Sequence, residues 1–345
     1  MSTDPRPISP QGRHVRQERL PQIGEAGQAK LAAARVAIVG VGATGSHLAE
    51  TLGRAGVGRV VLIDRDVVEL TNLPRQTMFT DDDAEQVRPK AEAAAAMLRR
   101  IDPGLDVTAE VADLTADNAE RLLSGCDLVL DGTDNFPTRF LVNDYCVREG
   151  VPFIYCGVVA TDGQLLVITP GGPCLRCYVP ELPAPGTLPT CDTAGVLGSV
   201  VAMTSALVAT EAQKLLLGSD ALASGEVFVL DGWGGELRRL QLHKDPACPC
   251  CGKGEHPHLE SAPAAAATEL CGRDAVQLPA TGAAVSLPEV AEQLAREGAV
   301  TTSPFLVRLD TPERRVLVFR DGRVIVGNTR DPAEARSIRA RLLGD

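Results

Sequence analysis

Short apolar runs alternate strictly with helical segments across residues 36–156, and this alternation predicts a doubly wound α/β fold. The runs are continuously apolar, as expected of parallel strands covered by helices on both faces. Gly40-x-Gly42-x-x-Gly45 follows the run Val36-Ala37-Ile38-Val39. That spacing reads as a strand entering a helix through a phosphate-type turn. After residue 156 the pattern changes to hairpin strands, so the sheet is Rossmann-like and mixed, and a small α+β unit follows it.

The elements read in order as helix 25–34, strand 36–40, helix 44–55, strand 59–64, helix 84–101, strand 107–112, helix 115–123, strand 127–131, helix 137–149 and strand 153–156. Residues 157–160 and 164–169 flank Thr161-Asp162-Gly163, a hairpin signal. A long helix over 193–217 and strands 227–230 and 237–242 complete the larger unit. Residues 255–268 are rich in Pro and Ala, hold His256 and His258, and read as a linker. Beyond them, Ser286-Leu-Pro-Glu289 is a capping box opening a helix to about residue 296. Asp321-Gly322 joins strands 316–319 and 324–326 by a type I′ signal, and Asp331 caps a last helix to about 343. The expected order there is β–α–β–β–β–α. The chain thus divides into a lead-in (1–12), a large domain (13–254), a linker (255–268) and a small domain (269–345).

The 345 residues carry 34 Lys+Arg against 45 Asp+Glu, a formal net charge of −11, which argues against a nucleic-acid surface. The first eleven residues are polar, with three prolines and no apolar core, unlike a signal peptide. The apolar stretch 193–217 is interrupted by Gly195, Gly198 and Thr204, so no membrane span is expected and the chain reads as cytoplasmic. Ten cysteines in such a chain point to metal or catalysis more than to disulfides.

Cys174-x-x-Cys177 and Cys248-x-x-Cys251 are two metal knuckles. Each places two thiolates one tetrahedral edge apart, and together they complete a structural zinc site. Cys250, inside the second knuckle, competes as a ligand. Cys191 lies in Pro189-Thr190-Cys191-Asp192, after a Pro- and Gly-rich segment and just before a helix. A helix N-terminus lowers a thiol's pKa, so Cys191 reads either as a nucleophile or as a half-buried cap. Cys126, Cys146 and Cys156 belong to apolar elements and read as core; Cys271 has no evident base.

Gly40, Gly42 and Gly45 let backbone approach a phosphate at a helix N-terminus. Asp64, ending the next strand, suits ribose hydroxyls. Taken alone these describe a nicotinamide or flavin enzyme. But Asn72-Leu-Pro-Arg75-Gln76, Lys90 and Asp131-Gly-Thr-Asp134-Asn135 follow. Arg75 and Lys90 suit phosphate oxygens and Asp134 suits Mg²⁺, which a hydride-transfer enzyme does not need.

Arg13-His-Val-Arg16-Gln17, the Gly40–Gly45 turn, Asn72-Leu-Pro-Arg75-Gln76, Pro89-Lys90, Asp131-Gly-Thr-Asp134-Asn135 and the two knuckles resemble, in order, the ThiF/MoeB/HesA family, bacterial relatives of the ubiquitin-activating enzymes. The resemblance spans roughly residues 13–252. It implies ATP-dependent adenylylation of the C-terminal glycine of a ubiquitin-fold sulfur carrier. It implies that Gly42, Asp64, Asn72, Arg75, Lys90, Asp134 and Asn135 bind ATP or Mg²⁺, and that Arg16 reaches the ATP site of the other subunit of a homodimer. Cys191 falls where the family's sulfur-relay cysteine lies. The small C-terminal domain has no persulfide-carrying cysteine loop, so sulfur is expected from a separate donor such as a cysteine desulfurase.

Three rival readings fit less well. An NAD-dependent oxidoreductase leaves Arg75, Lys90 and Asp134 without a task. A tRNA threonylcarbamoyladenosine dehydratase-like enzyme conflicts with the acidic charge and the four-cysteine site. A non-enzymatic scaffold would not need the full phosphate set.

Overall fold

The computed structural model describes residues 10–184, 187, 189–260, 268–269, 274–280 and 284–344. Its larger sheet comprises β1 (Arg35–Val39), β2 (Arg59–Ile63), β3 (Asp106–Glu110), β4 (Leu128–Asp131), β5 (Phe153–Val159), β6 (Asp162–Ile168), β7 (Glu226–Asp231) and β8 (Glu236–Gln241). The strand order is β3-β2-β1-β4-β5-β6-β7-β8. Strands β1 to β5 are mutually parallel, and β6, β7 and β8 add antiparallel, giving the expected mixed sheet. The continuous apolarity of β1 has a simple cause. Val36 and Ile38 enter one core and Ala37 and Val39 the other, because successive side chains of a strand point to opposite faces.

Three expected elements differ, each for a local reason. The single helix over 84–101 is two, Asp81–Glu85 and Lys90–Ile101. Pro89 has no N–H to continue a helix and disfavours the helical region for its predecessor. Val87 takes a φ of +51° and Pro89 bridges to Val67 instead. Lys90 therefore opens a helix rather than lying inside one. The helix over 193–217 is interrupted at Gly195, φ +74°, leaving Cys191–Ala194 and Gly198–Leu217. The remaining 20-residue helix is long and apolar enough, by length and composition only, to cross a bilayer. In this fold it packs against the helix Ala43–Ala55 and strands β5 and β6. The runs 153–156 and 157–160 form one strand, β5, and the hairpin turns at Ala160, φ +51°.

A second, wholly antiparallel sheet comprises β9 (Thr268–Glu269), β10 (Ala275–Leu278), β11 (Ala299–Thr302), β12 (Leu306–Asp310), β13 (Arg315–Phe319) and β14 (Val324–Gly327), in the order β11-β12-β13-β14-β10-β9. It has six strands where four were expected; β9 is two residues long, and β11 is an edge strand without a buried face. Ser286 stands at the N-cap of Leu287–Leu294 without a side-chain capping bond, so the expected capping box does not form. The β13–β14 turn is also not type I′. Only Gly322 has positive φ, +84°, and Phe319 N–H bonds Arg323 O while Gly322 N–H bonds Phe319 O. This is a type I turn closed by a glycine bulge. The start of the expected linker is packed. Helix Pro257–Glu260 lies on Phe136–Glu149, with the His258 ring 5.2 Å from that of Phe140. Residues 261–267 and Cys271 lie outside the described residues.

Candidate functional site

The loops leaving β1 and β4 interlock at the C-terminal end of the sheet. A Cβ on Gly40 (φ +83°) would lie 2.7 Å from the carbonyl of Gly132, one on Gly45 would lie 1.9 Å from Gly40 O, and one on Gly132 2.1 Å from the same oxygen. Gly42 differs. The nearest atom to a Cβ there, Gln76 Nε2, is 3.8 Å away. Gly42 also caps the helix Ala43–Ala55 without any side-chain bond. So Gly40 and Gly45 are demanded by close packing, whereas Gly42 leaves an uncapped helix N-terminus open, a ready site for an anion.

Asp64 is buried beside this loop. Its Oδ2 accepts Val41 N–H at 2.6 Å and its Oδ1 accepts Asp66 N–H at 2.7 Å. Burial pushes the carboxyl above its ordinary range, and Lys90 opposes that push. Lys90 is 5% exposed, and its Nζ lies 3.2 Å from Asp66 Oδ2 while its N–H donates to Asp66 O. Its ammonium is thereby held at the strand ends rather than in solvent. Gln76 is 4% exposed, and its Oε1 has no hydrogen-bond partner among the described residues. An orphaned buried acceptor beside an open helix N-terminus is what a missing ligand leaves behind. These residues fit a nucleotide.

The remaining expected residues are more dispersed. Asn72 is buried, and its Oδ1 accepts Glu69 N–H at 3.0 Å, closing a capping box on the short turn Leu70–Asn72. Arg75 is half-buried and donates to Thr71 O; its backbone packs against Gly198, the first residue of the long helix. Asp134 is exposed, 3.5 Å from Asn135 Nδ2, and Asn135 caps Phe136–Glu149 through Thr138 N–H. An exposed carboxylate at a strand end fits a hydrated cation such as Mg²⁺. Arg16 lies exposed on Val15–Glu18. His14, two residues earlier, faces Gly56 at the other end of Ala43–Ala55 from Gly42. Thirteen residues of helix, about 20 Å, separate those ends, so Arg16 does not join the site within one chain. Cys191 opens the short helix capped by Thr190; its side chain lies outside what is described.

The sequence reading missed the supports of this site. Asp131 and Arg139 form a buried pair, Oδ2 to Nε 2.8 Å, and Arg139 also donates to Thr133 O and Cys156 O. Asp131 Oδ1 in turn accepts Thr133 N–H, so the Gly132–Thr133 loop is tied down from both sides. The available signal was an arginine in the first turn of the helix that follows the Asp131 strand end. Asp66, partner of Lys90, gave none beyond its place two residues after Asp64.

The four knuckle cysteines converge, with sulfur–sulfur distances of 3.7 Å for Cys174–Cys248 and 3.4 Å for Cys177–Cys251 and all four within 4.8 Å. A tetrahedral ion with bonds of about 2.3 Å has ligand edges of about 3.8 Å, which fits this cluster. A hydrogen bond with Cys250 is the main influence that lowers the Cys174 thiol to about 4, against the effect of burial. Cys250 itself groups with Asp144 and His256, 3.7 Å from His256 Nδ1, and is not one of the four. Cys126, Cys146 and Cys156 are buried, and burial raises all three thiols, as core residues require.

The sequence profile of the ThiF family matches residues 14–250. The sulfur carrier protein ThiS adenylyltransferase of Bacillus subtilis is 40% identical over 339 residues, covering 96% of this chain and 99% of that protein. The SAMP-activating enzyme E1 of Haloferax volcanii is 38% identical over 254 residues, 74% of this chain and 92% of that one. The crystal structure of E. coli MccB with ATP shares the fold, with a TM-score of 0.58 at 24% identity over 66% of this chain and 69% of that one. The matched region takes in the glycine loop, the Asp64–Lys90 segment, the Asp131–Asn135 strand end, the first knuckle and Cys248 of the second, and on this evidence the chain belongs to the ThiF family.

Proposed function

We propose that this protein adenylylates the C-terminal glycine of a ubiquitin-fold sulfur carrier, converting ATP and the carrier carboxylate to an acyl-adenylate and pyrophosphate. The observation that carries the reading is the convergence of Asp64, the buried Lys90 and the orphaned Gln76 Oε1 on an uncapped helix N-terminus. The relatives named as carrier-activating enzymes support it.

The chemistry asks little beyond charge and position. A carboxylate is ionised at neutral pH, so the nucleophile needs no general base. The barrier lies in bringing an anion to a polyphosphate and in stabilising the leaving pyrophosphate. Gly42 and the first turn of Ala43–Ala55 would receive phosphate oxygens, with Gly40 and Gly45 shaping that turn, and Asp64 would hold the ribose. Asn72, Gln76 and Asn135 would line the nucleotide. Lys90 and Arg75 would bear on the phosphates. Asp134 would hold Mg²⁺, which supplies positive charge opposite the departing group. Arg16 would act on the site of a second copy, since it lies by the end of Ala43–Ala55 far from Gly42; a homodimer follows from that assignment. Zinc would be held by Cys174, Cys177, Cys248 and Cys251 and fasten the chain between residues 174 and 251. Cys191 would take part in sulfur transfer after adenylylation, with sulfur from a separate donor. Thiamine and molybdenum-cofactor carriers are both candidate partners. The NAD-dependent alternative leaves the buried Lys90 without a task.

Pyrophosphate–ATP exchange that depends on an added carrier tests this reading. It should occur with the native protein and vanish in Asp134→Ala. No exchange with any ubiquitin-fold carrier of the same genome, or retention of NAD instead of ATP, overturns it.

A further inference from the structure

The second sheet, outside the family-matched residues, reaches into the wall of the nucleotide site. Val67 and Val87 of the large unit share a buried apolar cluster with Leu306, Leu317, Phe319 and Ile325 of that sheet. Arg323, 3% exposed, crosses this contact. Its Nη1 donates to Arg65 O at 2.8 Å and to Gln277 Oε1 at 3.3 Å. Gln277 Nε2 donates to Asp113 Oδ2 at 3.0 Å, and that oxygen also takes Arg65 Nη1 at 2.9 Å. The ring of bonds runs Arg323, Arg65, Asp113, Gln277 and back. The Phe319 face covers the guanidinium at 3.8 Å.

The consequence lies in one peptide group. Arg65 C=O and Asp66 N–H belong to the same planar unit. Arg323 holds the carbonyl from outside, and Asp64 Oδ1 takes the N–H from inside at 2.7 Å. Rotating that peptide would break both bonds, so Arg323 fixes the orientation of the Asp64 carboxylate. The next residue, Asp66, pairs with Lys90. A cation on the appended sheet thus sets two polar groups of the nucleotide site without approaching a nucleotide.

We infer that Arg323 is a positioning residue for ATP, acting through the Arg65–Asp66 peptide on Asp64, so that the appended sheet is an integral part of the adenylylating unit. The inference rests on the function proposed above. Arg323→Met keeps much of the bulk and removes the donors; Arg323→Lys keeps the charge and one donor. Carrier-dependent exchange in the full-length protein is measured with ATP and with 2′,3′-dideoxy-ATP, beside zinc content and unfolding temperature. The expected result is a KM for ATP raised on the order of tenfold in Arg323→Met, the loss of one charge-assisted bond, with kcat changed far less. KM for the dideoxy nucleotide should hardly move, because Asp64 has no ribose hydroxyl to meet there. Arg323→Lys should recover part of the loss. Should Arg323→Met fail to fold, Gln277→Met opens the same ring from the other side and should raise KM for ATP selectively. An unchanged KM in the folded variant, or an equal rise for both nucleotides, overturns the inference. A native protein without carrier-dependent exchange would instead overturn the function proposed above.

Discussion

A Cβ on Gly132 would stand 2.1 Å from the carbonyl oxygen of Gly40. The loops after β1 and β4 therefore touch backbone to backbone, and the proposed nucleotide site is built on that contact. Gly132→Ala should cost about 1–3 kcal/mol, the usual range for overpacking, and should raise KM for ATP although no polar group is lost. Gly42→Ala meets nothing closer than 3.8 Å and should stay within about 0.5 kcal/mol of the native stability while still weakening ATP. Denaturant unfolding and exchange kinetics on both variants check the contrast; equal stability losses would contradict it.

Metal content separates the cysteines. The native protein should bind about one zinc per chain. Cys174→Ser should lose it and unfold at a lower temperature, whereas Cys250→Ala, whose thiol lies with Asp144 and His256, should keep it. Elemental analysis of the two proteins decides; a zinc-free Cys250→Ala would move that residue into the ligand set.

Cys191 precedes the break at Gly195 and stands apart in the chain from the residues proposed for the nucleotide. Cys191→Ala should leave pyrophosphate exchange within about twofold of native while lowering thiocarboxylate formation on the order of tenfold. Mass spectrometry of the carrier reads the second quantity. Undiminished thiocarboxylate would remove Cys191 from the reaction.

Acidification should weaken ATP binding through Asp64. Burial, with Lys90 opposing, leaves its pKa above the ordinary 3.8. In the window above 3.8 the folded state binds the proton more tightly than the unfolded chain. This group's contribution to stability is therefore fully present below that window and is lost as pH rises through the folded pKa. Binding runs the other way. A protonated Asp64 gives up an acceptor needed by Val41 N–H and Asp66 N–H. KM for ATP should rise as pH falls through that window without unfolding caused by Asp64, and Asp64→Asn should flatten the acid limb. An acid limb that persists in Asp64→Asn would assign the effect elsewhere.

Much of the fold was legible because its signals are local. Apolar runs and the glycine spacing each act over a few residues, and the strand positions of the large sheet follow from them. The breaks at Val87–Pro89 and Gly195 were harder to read. Pro89 and Gly195 were visible in the sequence, but apolar periodicity on either side concealed that they end a helix. In the small unit, β11 and β12 stand where one strand was expected, and β11, an edge strand without a buried face, carries no alternation to mark it.

The sequence by itself determined the sheet class and the knuckle cysteines and picked out the residues at the strand ends that are proposed for the nucleotide, since residue type and spacing dictate those. Only the tertiary structure decided which groups meet. Lys90 found Asp66, Asp131 found Arg139, Cys250 left the four-thiol cluster, and Arg323 reached Arg65 across 258 positions. The physical reason is that a buried charge must be paired or bonded, and its partner is chosen by packing in space, where separation along the chain carries no information.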